Sequence, residues 1–334
     1  MNRKVLAVAV AFVLASALSP VANAGSLTTE VVGIFPRDAA EFAFADLRQA
    51  RSLAWFPELQ REVLPDQLRQ FEQFLASPGM ARDSRVEELA WAVVPSESQA
   101  QTAVGTGAPN GGDTVVVALG QFSPESTNAY FKAQKRDIVE VRNYQLYSLG
   151  GGSADSGLFV CFVDSTVAVL GERKELERVI GILHGEEPSL LSNGDLAPLI
   201  SQADAHSVVW AVLSAHGARQ EMKELVPLVE AFPQAQQLIS KVRAFTLEID
   251  AGSGIESHFA ALCGSSDDAD MLGALLQADL SFQSSPSGKS AQNVTGFLDR
   301  AQVGLSGDRL DVTFDLTDNQ VVGLLQKGTF SIRR

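Results

Sequence analysis

The residues able to do chemistry are few and scattered. Four histidines stand at His184, His206, His216 and His258, and two cysteines at Cys161 and Cys263. No two histidines are spaced i, i+4, and His-Glu-x-x-His does not occur, so no spacing motif marks a zinc site. Each cysteine lies in an alternating apolar run, Leu158 to Val163 and His258 to Cys263. Such runs predict buried thiols, and their place on strands of different halves predicts that they are unpaired, with a single bridge as the alternative that an oxidising compartment permits. His184 falls at the end of a helical pattern, where a cation suits the negative end of the helix dipole.

Three stretches imitate chemical motifs. Ser287-Gly288-Lys289-Ser290 resembles the close of a phosphate-binding loop, but Gln283 stands where the first glycine is required. Gly150-Gly-Gly-Ser153 joins two strand-like runs and leads into no helix, so it reads as a hairpin loop. Asp267, Asp268 and Asp270 precede the apolar residues Met271, Leu272, Leu275 and Leu276, which makes helix capping their expected work. Asn293-Val-Thr295 fits a glycosylation acceptor, a weak three-residue pattern. No catalytic, cofactor-binding or metal-binding residue emerges, and no cofactor is implied.

Compartment is better marked. Met1 to Lys4 is a short basic start, Val5 to Leu18 an apolar run, and Ala22-Asn23-Ala24 a small-x-small end. This layout predicts a signal peptide over residues 1–24, cleaved after Ala24, and hence a periplasmic or secreted protein. The apolar run is too short to span a bilayer, and no later segment is long and apolar enough to do so. Cleavage removes Arg3 and Lys4 and shifts the formal charge from −14 to −16. Such an acidic chain repels phosphate backbones, which argues against nucleic acid as a partner. Two cysteines make no disulfide framework of the small-secreted kind.

The elements that would position these residues are written twice. Asp38 to Leu47 and Asp204 to Leu213 both open with Asp-Ala and continue with alternating bulky residues, as a half-buried strand requires. A helical face follows in each half: Leu64, Leu68, Phe71 and Leu75, then Met222, Leu225, Val229 and Phe232, with Pro65 and Pro227 interrupting them. Strands 86–94 and 114–119 match 242–250 and 257–262. Helix starts follow at Ser123-Pro124-Glu125 and Ser266-Asp267-Asp268. Hairpins come next, turning at Asp164-Ser165 and at Ser306-Gly307-Asp308. A final helix carries the stripe Leu176, Val179, Ile180 and Leu183. Its counterpart, behind the capping-box spacing Thr317 to Gln320, carries Val321, Leu324 and Leu325. The order predicts an α+β fold of two tandem similar halves, each a mainly antiparallel sheet with packed helices. The halves run 25–184 and 191–334, with 185–190 as linker.

Phe35-Pro36-Arg37-Asp38-Ala39, Trp55, and Ser189-Leu-Leu-Ser-Asn193 leading to Asp204-Ala205 resemble a group of bacterial extracytoplasmic proteins known as a domain of unknown function. The resemblance implies a signal or anchor followed by two similar α+β halves, and it transfers no catalytic residue. The sequence departs from that pattern at Asn193-Gly194-Asp195, where Asn-Pro-acid is expected.

Three readings of function stand side by side. The first is a non-catalytic binding or structural protein with an envelope protein partner. The second is a carrier of a lipid or other apolar ligand. The third is an enzyme whose site is assembled from distant residues.

Overall fold

A computed structural model describes residues 27–95, 113–149, 157–203, 207–215, 218, 237–251, 255–284 and 301–326. Twelve described strands form one antiparallel sheet. In the first half these are β1 (Glu41–Asp46), β2 (Arg85–Val94), β3 (Asp113–Gln121), β4 (Ile138–Val141), β5 (Tyr144–Ser148), β6 (Phe159–Phe162) and β7 (Val167–Gly171). The second half supplies β8 (Val209–Ser214), β9 (Val242–Asp250), β10 (Ile255–Cys263), β11 (Gln302–Ser306) and β12 (Arg309–Leu316).

The strand order is β11-β12-β10-β9-β8-β1-β2-β3-β7-β6-β5-β4. Read outward from the centre, β1-β2-β3-β7-β6 mirrors β8-β9-β10-β12-β11. The fold is therefore α+β with two similar halves, joined through the antiparallel β1–β8 ladder. There Phe44 lies opposite Trp210 and Ala43 opposite Ala211. The ring centroids of Phe44 and Trp210 are 5.8 Å apart, and Phe42 approaches the same indole at 5.5 Å. Aromatic pairs at this spacing add to the burial that holds a ladder together.

Phe44 and Trp210 are 166 residues apart, the offset that aligns Asp38 with Asp204. The ladders carry the match onward. Ala43 faces Trp91 and Val209 faces Ile249, so Trp91 corresponds to Ile249. Alternation alone aligns Trp91 with Leu247, two residues away. A slip of two keeps every side chain on its own face, so the burial pattern does not register it.

One face of the sheet is apolar along its whole width. It packs against α2 (Leu47–Ala50), α3 (Phe56–Glu62), α4 (Asp66–Leu75), α5 (Pro124–Ala133), α8 (Ser266–Ser284) and α9 (Asp318–Gln326). Pro65 caps α4 and separates it from α3, as its missing N–H and fixed φ require. Leu64, Leu68, Phe71 and Leu75 are all buried here. The other face is covered by α1 (Thr29–Val32), α6 (Arg173–Leu183), a 3-10 turn (Leu190–Ser192) and α7 (Leu196–Ile200). These lie over the first half and β8.

Local signals account for the element ends. The Ser123 hydroxyl accepts the Ser126 N–H and Pro124 occupies the first turn of α5. Thr317 and Gln320 form a reciprocal capping box before α9. At α8 the cap is Ser265, whose hydroxyl accepts the Asp268 N–H at 3.2 Å, one residue before the Ser266 expected from the sequence. Helix α6 ends at Gly185 with φ +75°, where the Glu186 N–H reaches Gly181 O and the Gly185 N–H reaches Ile182 O. The hairpin β4–β5 extends the first half beyond β6; β5 is the strand-like run expected before Gly150, whereas β4 was not expected.

Candidate functional site

Three polar constellations stand out among the described residues. The first joins the start of the first half to the linker and the start of the second. Arg37 N–H donates to Pro188 O at 3.2 Å, and Leu190 N–H donates to Phe35 O at 2.7 Å. Asn193 works in two directions: Nδ2 donates to Arg37 O at 2.7 Å, while Oδ1 accepts the N–H groups of Asp195 and Leu196 at the start of α7. Arg178 adds ion pairs to Asp38 at 2.6 Å and Glu187 at 3.0 Å. Phe35 and Leu190 close the contact with no exposed surface. The motif residues 35–39 and 189–193 are thus one structural clasp. Gly194 meets no atom within 4 Å of an added Cβ, so the departure from proline there costs no packing.

The second constellation is a partly buried acid pair. Asp46 caps α2, accepting the N–H groups of Arg48 at 2.9 Å and Gln49 at 3.2 Å. Its cross-strand neighbour is Glu88, and the Arg48 guanidinium contacts both carboxyls. The two acids diverge. Burial pushes Glu88 up to about 7, because desolvation outweighs the attraction of Arg48 and Asp46 adds repulsion. Burial also works on Asp46, but hydrogen bonds from Gln49 and Arg48 win and hold it below the usual carboxylate value. Glu88 Oε2 is buried without a hydrogen-bond partner among the described residues.

The third lies on the face of the second half opposite α8. His258 Nε2 stands 3.2 Å from Asp311 Oδ1, which also accepts Arg309 Nε at 2.7 Å. In the ladder His258 faces Thr313 on β12 and Glu248 on β9. One row of partners runs on from Glu248 to Trp210, Phe44 and Ala90. The row turns from polar to apolar at the join of the halves.

Cys161 and Cys263 are free and buried, as expected. They lie on opposite faces of the sheet. Desolvation pushes Cys161 up to about 12 and Cys263 to about 11, so neither is a thiolate near neutral pH. His184 is the C-cap of α6 with its ring against Tyr144. Asp268 pairs with Lys241 at 2.5 Å, in keeping with a capping role. No group of three His, Cys, Asp or Glu among the described residues is arranged to hold a metal ion. His206, His216, residues 150–153, 287–290 and 293–295, the signal segment 1–24 and the stripe from Met222 to Phe232 lie outside the described residues.

No protein-family model and no curated protein matches the chain. Among solved structures it is similar to TP0453. Crystal form III of that protein aligns with a TM-score of 0.51 at 11% identity, covering 89% of this chain and 97% of that one. Crystal form I gives 0.48 at 11% identity, covering 91% and 98%. The likeness to form III is one of fold. Among the described residues, no helix is long and apolar enough to cross a membrane.

The acid pair escaped the sequence reading because Asp46 and Glu88 are 42 positions apart. The one local signal was a pair of acids, Glu87-Glu88, inside an otherwise apolar strand. Both are buried.

Proposed function

We propose that this protein is a non-catalytic binding or structural component that works outside the cytoplasm after losing residues 1–24. Its halves, 25–184 and 191–334, are connected by linker 185–190 and act as one body. The observation that carries this reading is how the reactive groups are used. Among the described residues, the two thiols are buried with raised pKa values, His184 caps a helix, and His258 is held 3.2 Å from Asp311 across two strands. Nucleophilic or acid–base catalysis needs such groups free to meet a substrate.

Conservative replacements test the reading. His184→Gln, His206→Gln, His216→Gln, His258→Gln, Cys161→Ser and Cys263→Ser, each checked for folding, should preserve the cellular phenotype of the gene. A folded variant that loses it would overturn the non-catalytic role. N-terminal sequencing of protein recovered outside the cytoplasm should begin at Gly25, and full-length protein held in the cytoplasm would contradict the compartment.

A further inference from the structure

The cleft of about 640 Å³ lies between the end of α4, the turn that follows it and the start of β2. Its volume is in the range of small-molecule sites. Arg51, Arg82 and Arg85 line it with one carboxylate, Glu72, and a second, Glu87, pairs with Arg85 from outside the lining. That is a local excess of positive charge in a chain whose net charge is −14. Arg51 is held in place, with Nη1 donating to Val86 O at 2.8 Å and Nη2 to Glu72 Oε1 at 2.6 Å. Arg85 is oriented by Glu87, which takes only its Nε, at 2.7 Å. Its two terminal nitrogens keep their donors. Arg82 is exposed and has no ion-pair partner among the described residues.

We propose that this cleft binds an organic phosphate monoester or diester. Guanidinium forks match phosphate oxygens in geometry and charge. A planar carboxylate is satisfied by one fork, whereas a phosphate group offers oxygens to several donors at once. The volume exceeds what inorganic phosphate alone would fill, so the phosphate belongs to a larger molecule, either a free metabolite or a lipid headgroup.

Titration calorimetry of the folded chain at low ionic strength tests this with sn-glycerol 3-phosphate, and with glycerol as the neutral control. The phosphate ester should bind saturably and lose affinity as salt rises, while glycerol does not bind. Arg82→Gln and Arg85→Gln should each weaken binding about tenfold, the usual loss for a hydrogen bond to a charged group. Both side chains lie outside the packed core, and circular dichroism confirms that each variant folds. Co-sedimentation with phosphatidylglycerol vesicles, against phosphatidylcholine vesicles alone, separates the sources. Uptake by the former that is lost in Arg82→Gln identifies a headgroup, and binding of glycerol 3-phosphate without vesicle uptake identifies a soluble ester. The proposal is overturned if neither probe binds, or if both variants bind as well as the parent.

Discussion

Glu88 lies directly across the β1–β2 ladder from Asp46, and one guanidinium, that of Arg48, contacts both carboxyls. Two neighbouring acids are thereby driven apart, Asp46 downward and Glu88 up to about 7.

That divergence predicts a pH dependence of stability. Glu88 titrates at an ordinary 4.5 when unfolded and near 7 when folded. Between those values the folded chain holds a proton that the unfolded chain has released, so its contribution is complete below 4.5 and lost as pH rises through 7. Asp46 acts in the opposite sense: its contribution is present above 3.8 and lost as pH falls through its depressed folded value. Thermal melts should show Glu88→Gln flattening the decline between pH 5 and 7.5. The variant should melt roughly 2 °C or more above the parent at pH 8. An unchanged profile would remove Glu88 from the account.

The β1–β8 ladder should control the stability of both halves together. Trp210 is almost fully buried and touches Phe42 and Phe44. Trp210→Ala is expected to cost about 3 to 5 kcal/mol, the usual range for an aromatic removed from a core. Denaturant unfolding followed by far- and near-ultraviolet dichroism should give coincident transitions in the parent. Two separated transitions would show that the halves melt independently despite the shared sheet.

Gly120 should tolerate no side chain. A Cβ there would fall 2.1 Å from Arg85 O, beside the irregularity between Val86 and Glu88. The clash is with backbone, so relief requires the bulge to move. Gly120→Ala should lose about 2 kcal/mol or more, or fail to accumulate. Gly304→Ala, with its nearest new contact at 3.9 Å, is the matched control and should be close to neutral.

Both thiols should be silent in the folded state. Desolvation holds Cys161 at about 12 and Cys263 at about 11. An aromatic disulfide reagent at pH 8 should titrate fewer than one thiol in native protein and two after denaturation. Rapid native reaction would mean that one of the strands carrying them opens readily.

Most of the element order was legible in the sequence, because alternation and capping are local. Residues 242–250 alternate, and Thr317 to Gln320 carry their cap within four positions. What alternation cannot convey is which strand sits beside which. That β1 pairs with β8 depends on Phe44 and Trp210 meeting across 166 positions, and no local pattern encodes it. Strand β4 and its hairpin with β5 were overlooked, although Ile138 to Val141 carry apolar residues. The turn of that hairpin uses Arg142 at φ +57° instead of the glycine that normally marks a hairpin. The acid pair was hidden for a different reason. Whether Glu88 is a solvated charge or a buried one depends on the neighbours that surround it in space.

The central ladder also sets a timetable. While the chain is being made, β1 exists long before β8, and its outer edge must wait for a strand that follows more than 160 residues later. Every residue of β1 is buried in the finished fold, so the waiting edge is both apolar and rich in unpaired backbone groups. Contacts so distant in sequence close slowly, which lengthens the exposure. A chain stopped after residue 190 would carry that edge permanently. A second truncated copy could then occupy the place of β8, exchanging the approximate dyad of the intact molecule for a true one.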